Sequence, residues 1–165
     1  MELYEQFGEF DSYEELNKAA AAQLAEGDTE AIYKIAEENG IDKEDAEDFI
    51  NGDCPEFCTP IMAAHGKIDV EVKYLGLKEA ELDYADLIRR ECLNDEDFAL
   101  AVRKKGKSLA GALGLILKKA WGIKHHLHKD ILEAAGLNNG NVQSGSPGAR
   151  TVVRLTREYY LGGKE

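Results

Sequence analysis

The sequence predicts an all-α fold, a compact bundle of about seven or eight helices with an acidic N-terminal part and a basic C-terminal part. Apolar residues recur at helical spacing almost throughout. Cap residues and stop glycines punctuate the chain in the order that helices require. The one alternating stretch, Ile68, Val70 and Val72, has no evident second strand to pair with. Hydrophobic residues make up 44% of the 165, enough to fill a core.

Taken in order, Ser12-Tyr13-Glu14-Glu15 is a capping box, in which hydroxyl and carboxylate can each satisfy an orphan backbone N–H. The helix it opens runs through Ala19–Ala22 and stops at Gly27. Asp28 or Thr29 caps a second, with Ile32, Ile35 and Ala36 on its apolar face, ended by Asn39-Gly40. Asp42 caps a third over Ala46, Phe49 and Ile50, which ends near Gly52. "CPEFCTP" (54–60) is a connector, and Thr59-Pro60 reads as N-cap and first-turn proline. The span 67–73 is left open between helix and extended linker.

A strong helix is expected over 78–93, with Leu82, Ala85, Leu87, Ile88 and Cys92 inward. Asn94 with Asp97 caps the next, carrying Phe98, Ala99, Ala101 and Val102 to a stop at Gly106. Ser108 then caps "LAGALGLILKKAW", the most apolar helix. Leu109, Leu113, Ile116, Leu117 and Trp121 cover a wide face, which marks a central core helix. Gly111 and Gly114 are expected to let a neighbour approach closely. Lys118 and Lys119 lie in its last turn, where cations complement the helix dipole. A short helix ends at Gly136, residues 138–146 form a loop, and Ser146-Pro147 opens a final helix to Tyr160, ended by Gly162-Gly163. In that helix Val152, Leu155 and Tyr159 are expected to face the core.

The net charge of −12 conceals a split. Residues 1–97 hold 28 acidic and 8 basic side chains, a net of −20, and residues 98–165 hold 4 and 12, a net of +8. Gly76 is the candidate boundary, giving an acidic region 1–76 and a basic-ended region 77–165. Such asymmetry points to a charged partner, or to two halves that attract each other within the fold.

No run of about eighteen apolar residues is present, and the first ten residues lack the pattern of a signal peptide. Three cysteines, an odd number, suit a reducing compartment. The expectation is a cytoplasmic protein with no membrane contact.

Gly106-Lys107-Ser108 has the last three letters of a phosphate-binding P-loop. That loop needs a glycine five residues earlier and a preceding strand. Position 101 is Ala101, and the pattern before it is helical. A helix stop and a helix start explain the same residues. The connector nonetheless clusters Arg103, Lys104, Lys105 and Lys107 beside a helix N-terminus, a corner that attracts anions or is simply a solvated turn.

In the last helix Arg150, Arg154 and Arg157 recur at i, i+4 and i+7 and so share a face. With a nearby tyrosine they suit nucleic-acid backbone contacts; pairing with the acidic half is equally consistent. "ILEAAGL" (131–137) reads like one helix of a helix-turn-helix, but the glycine-rich loop after it is not the short turn that motif requires. Cys54 and Cys58 with His125, His126 and His128 are weak zinc candidates, and no metal or other cofactor is expected. No nucleophile or zincin motif stands out, so an enzyme is not expected.

At Asn94–Gly111, "NDEDFALAVRKKGKSLAG", the helix, basic turn and following core helix resemble the PcfK-like proteins of conjugative and integrative elements. That group is similar in the same segment to an anti-CRISPR family that inhibits the type II RNA-guided nuclease. The matching positions are Asp95, Glu96, Asp97, Phe98, Ala99, Val102, Lys107, Ser108, Leu109, Ala110 and Gly111. The likeness extends loosely over 83–121 and to "REYYLGG" near the end; the acidic first 75 or so residues fall outside it. Most matching positions are caps and core, and the family offers no catalytic residues.

The resemblance implies a binding protein of a mobile genetic element, and most sharply an inhibitor of a type II CRISPR effector nuclease with its guide RNA. An acidic surface could compete in that nuclease's positive channel. The seven basic residues named above could instead grip RNA or DNA directly. The alternative is a nucleic-acid-binding accessory or regulatory protein of conjugation.

Overall fold

The computed structural model describes residues 3–137 and 142–162. Their order is α1 (Tyr13–Glu26), α2 (Thr29–Asn39), α3 (Lys43–Asn51), α4 (Pro60–Leu75), α5 (Ala80–Asn94), α6 (Glu96–Arg103) and α7 (Leu109–Gly122), followed by β1 (His125–His126), α8 (Lys129–Ala134), β2 (Gln143–Ser144) and α9 (Ala149–Leu161). The fold is an all-α bundle with nine helices among the described residues, and its only ladder is the two-residue antiparallel pair β1–β2. No described helix is long and apolar enough to cross a membrane.

The helices start where the chain supplies an oxygen for their orphan N–H groups. Ser12, Asp28, Thr59 and Ser108 each accept from the backbone N–H three residues on. At α1 the capping box is altered: Glu15 reaches the N–H of Asp11, one residue before the cap. The cap of α6 is Asp95, which accepts from Phe98 N at 3.2 Å, in place of the expected Asn94 and Asp97. Its carboxylate reaches that N–H because Asp95 stands three residues before Phe98, a spacing Asn94 lacks. Gly148, not Ser146, flanks α9. Gly27, Gly40, Gly52 and Gly76 end α1 to α4 in the left-handed conformation.

The span 67–73 is helix, the middle of α4. Its alternation arises because α4 is buried on several sides, so that Ala63, Ala64, Gly66, Lys67, Ile68, Val70 and Glu71 are all inside. Two apolar cores meet on it. One gathers Leu16, Ile32, Ile35, Phe49, Phe57 and Ala63 from α1–α4. The other gathers Ala64, Ile68, Ile88, Phe98, Leu109 and Tyr160 from α4–α7 and α9. The divide between the two cores runs along α4.

The central helix is thus α4, which corrects the expectation for α7. Leu109, Ala112 and Ile116 of α7 are buried, but Leu117 is 67% and Trp121 72% exposed. Helix α7 packs on α9, α4 and α5, and its end meets the backbone after β2, where Gly145 approaches Ala120 O. In α9 the inward positions are Val152, Thr156 and Tyr160. Of the expected face, Val152 is buried and Tyr159 packs half-buried against the core, while Thr156 and Tyr160 are the other buried positions; Thr156 hides its hydroxyl on Val153 O at 2.9 Å and so passes as apolar. Tyr160 packs edge-on against Phe98 at 5.6 Å. The loop expected over 138–146 contains β2, while residues 138–141 and the stop at Gly163 lie outside the described residues.

Candidate functional site

The connector between α6 and α7 is covered by the chain's own N-terminal segment. Arg103 is 1% exposed. Its Nη1 donates to Phe10 O at 3.3 Å and its Nη2 to Asn39 Oδ1 at 3.0 Å, and burial pulls the guanidinium below its ordinary value. Lys105 N donates to Asp11 O, and its ammonium lies 3.5 Å from the Asp11 carboxylate. Lys107 Nζ donates to Tyr159 O at 2.7 Å and lies 4.9 Å from the Tyr159 ring centroid. Lys104 is exposed at its side chain, while its carbonyl accepts from Lys67 Nζ at 2.9 Å.

The anion corner is already filled. Leu109 N, at the start of α7, donates to Glu71 Oε2 at 2.5 Å. Gly106 N donates to Glu9 Oε2 at 3.3 Å, and Ser108 N donates to Tyr159 Oη at 3.1 Å. Carboxylates at a helix N-terminus are favourable for the same reason that phosphate would be. Lys67, 2% exposed, offsets them: its Nζ donates to Glu9 Oε1 at 2.5 Å and lies 4.0 Å from Glu71. Burial pushes the Glu71 carboxyl up and the Lys67 ammonium down, each against the pull of its partners.

The arginines of α9 divide. Arg157 Nη1 donates to Glu91 Oε2 at 3.2 Å and Nη2 to Asp95 Oδ2 at 2.7 Å, which clasps α9 to the α5–α6 junction. These hydrogen bonds, that to Asp95 first, raise the Arg157 pKa and lower that of Asp95. Arg154 pairs with Glu158 on its own helix at 2.5 Å. Arg150 is exposed and makes no ion pair among the described residues. The seven expected residues therefore form no single patch: Arg103 is inside, Lys105, Lys107, Arg154 and Arg157 are engaged, and Lys104 and Arg150 are left on different elements.

Further exposed cations lie around the end of α7. Lys118 and Lys119 near the end of α7, Lys124 just before β1 and Lys129 at the start of α8 are exposed, and none forms an ion pair with a described residue. Trp121 stands among them with Lys124 Nζ 3.3 Å from its ring centroid. His125 and His126 are exposed on β1, and Gln143 of β2 hydrogen-bonds His126 at 3.2 Å. Sequence reasoning placed Trp121 in the core and so missed this site. The signal was present, however: no Asp or Glu occurs from Phe98 to Lys129.

Beside this end runs a groove of about 340 Å³ between α5 and α7, lined by Tyr84, Leu113, Ile116, Leu117 and Ala120, with Glu81 and Ser146 completing it. On α1–α3 most exposed charged side chains are of the opposite sign, among them Glu14, Glu26, Glu30, Glu44 and Asp48, although Lys18 of α1 is exposed as well. Exposed Lys43 and half-buried Lys34 pair within their own helices with Glu47 and Glu30.

Among the described residues, no group of three or more His, Cys, Asp or Glu side chains is placed to hold a metal ion. Cys58 and Cys92 are buried, and burial pushes both thiols up to about 12, which suits packing and not nucleophilic attack. Comparison with family models, curated proteins and solved structures returned no match.

Proposed function

We propose that the chain is a non-enzymatic binding protein of a mobile genetic element, which acts inside the cell as an inhibitor of a type II RNA-guided nuclease loaded with its guide RNA. One observation carries the reading. Exposed carboxylates occupy α1–α3, exposed cations with an exposed tryptophan occupy the end of α7 and the segment after it, and the two sets pack chiefly on different neighbours. A ribonucleoprotein nuclease presents both complements, a positive channel and a polyanionic guide. The acidic helices suit the channel, and the basic end suits the nucleic acid. The choice of nuclease class comes from the resemblance over Asn94–Gly111.

The test is association of the purified chain with a type II nuclease, with and without guide RNA, followed by a DNA cleavage assay. Tighter capture of the loaded enzyme and loss of cleavage are expected. Reversal of three acids on α1–α3, Glu26, Glu30 and Glu44, to lysine is expected to weaken inhibition at least about tenfold, since surface complementarity acts through many such charges. Undiminished cleavage across several orthologous nucleases would retire the reading.

A second reading is favoured by the same basic end and by exposed Arg150 and Lys104: an accessory nucleic-acid-binding protein of conjugation. It requires affinity for bare duplex DNA that falls steeply with salt, without any effect on the nuclease.

A further inference from the structure

We infer that Trp121 with Lys118 and Lys124 forms a binding site for single-stranded nucleic acid, with the indole face opposite Lys124 stacking on an unpaired base and the two lysines contacting the flanking phosphates. The source of the strand, guide RNA or displaced DNA, rests on the proposed function; the site itself does not.

Four features support a built site over a frayed helix end. Trp121 is 72% exposed although the same helix buries Leu109, Ala112 and Ile116 completely or nearly so. An indole left in water forgoes a large burial gain, which is common at recognition surfaces. Leu117 and Lys118 precede it by four and three residues and so share its side of α7. Leu113, Leu117 and Trp121 then form an apolar strip that borders the α5–α7 groove. The hairpin is seated on the end of α7 through Gly145, where a Cβ would stand 2.5 Å from Ala120 O and 2.8 Å from Lys124 Cγ. That close approach fixes the backbone at Lys124, just before β1, and Lys124 Nζ lies 3.3 Å from the Trp121 ring centroid.

The chemistry favours a single strand over a duplex. Stacking needs a base face that is free, and in a duplex both faces are taken by neighbouring pairs. Base–aromatic stacking tolerates any sequence and is worth about 1–3 kcal/mol per base, or about five- to 150-fold in affinity. The cations supply the salt-dependent remainder. With two lysines each neutralising a phosphate, log K is expected to fall against log salt with a slope of about −1.4.

Trp121 is the only tryptophan in the chain, so its emission reports the site directly. The experiment titrates the full chain with a short oligouridylate, an oligothymidylate and a blunt duplex of equal length. Saturable quenching by the single strands, at least about tenfold tighter than by the duplex, is expected. Preference for oligouridylate assigns the site to RNA and preference for oligothymidylate to DNA; either supports it. With labelled strands, Trp121→Ala is expected to lose at least about fivefold in affinity. Lys118→Glu with Lys124→Glu is expected to lose more and to flatten the salt slope. All these side chains are exposed, so helix content by circular dichroism is expected to stay unchanged.

Absence of quenching, or equal binding of duplex, overturns the site. So does a shift of Trp121 emission by anionic phospholipid vesicles with none by oligonucleotides, which would make this end a membrane contact. Loss of nuclease capture in Trp121→Ala without strand binding by the parent chain would make it a protein contact and overturn it as well. Strand binding needs no nuclease and cleavage inhibition needs no free strand, so either idea can fail alone.

Discussion

Gly40 and Gly66 meet backbone to backbone, and the contact shows how much one hydrogen in place of a side chain can decide. A Cβ on Gly66 would stand 2.1 Å from Asn39 O, and one on Gly40 would stand 2.4 Å from Gly66 O. Neither neighbour is the flexible end of a side chain, so α2 and α4 would have to separate. Gly66→Ala is expected to cost about 3 kcal/mol or more in urea unfolding, the upper part of the overpacking range. Glu71 gives a pH signature. Its folded pKa is raised above the ordinary 4.5, chiefly by desolvation. Below 4.5 both folded and unfolded chains hold the proton. As the pH rises past 4.5 the unfolded chain releases it first, so stability falls until the folded value is passed. Glu71→Gln keeps an acceptor for Leu109 N and removes that fall. Stability of the parent relative to the variant is expected to decline as the pH rises from 4.5 and then level off. A parent-to-variant difference that is flat with pH would exclude this account.

At the scale of elements, α7 separates two glycines that look alike in sequence. A Cβ on Gly111 would stand 2.2 Å from Tyr159 Oη, the group that accepts from Ser108 N, whereas Gly114 has nothing within 4 Å. Gly111→Ala is expected to destabilise by about 1–3 kcal/mol through displacement of the tyrosine. Gly114→Ala is expected to stabilise by up to about 1 kcal/mol, because alanine is the better helix former and meets no obstacle. Equal effects in thermal unfolding would mean that α9 does not pack as described. The expectation that glycines admit a neighbour thus holds for Gly111 alone. The basic turn shows the same division between pattern and partner. Its clustered charges are legible in "VRKKGK", but Glu9 and Asp11 lie more than ninety residues earlier, and no local rule reveals that they fold over it.

At the scale of the molecule, the shared helix α4 ties the two cores into one unit. Each core holds a buried thiol, Cys58 in the first and Cys92 in the second, while Cys54 is exposed. In native conditions a thiol reagent is expected to modify one cysteine of the three at an appreciable rate. With rising urea, Cys58 and Cys92 are expected to lose protection at the same concentration, as one cooperative unit does. Separate midpoints, read by peptide mass mapping, would show that the cores unfold independently.

The sequence by itself determined the fold class, the helix order and most helix ends. These are local properties: a side-chain oxygen that reaches an N–H three residues on, a glycine free to turn left-handed, an apolar stripe at helical spacing. It also determined the charge of each half, which is a matter of counting. The tertiary structure decided which helix is central, which cations meet solvent, and that Trp121 faces water. Those depend on groups brought together across the chain, such as Arg103 with Asn39 and Arg157 with Asp95. A buried charge and a solvated one are the same letter, and only the distant partner that desolvates or pairs it tells them apart.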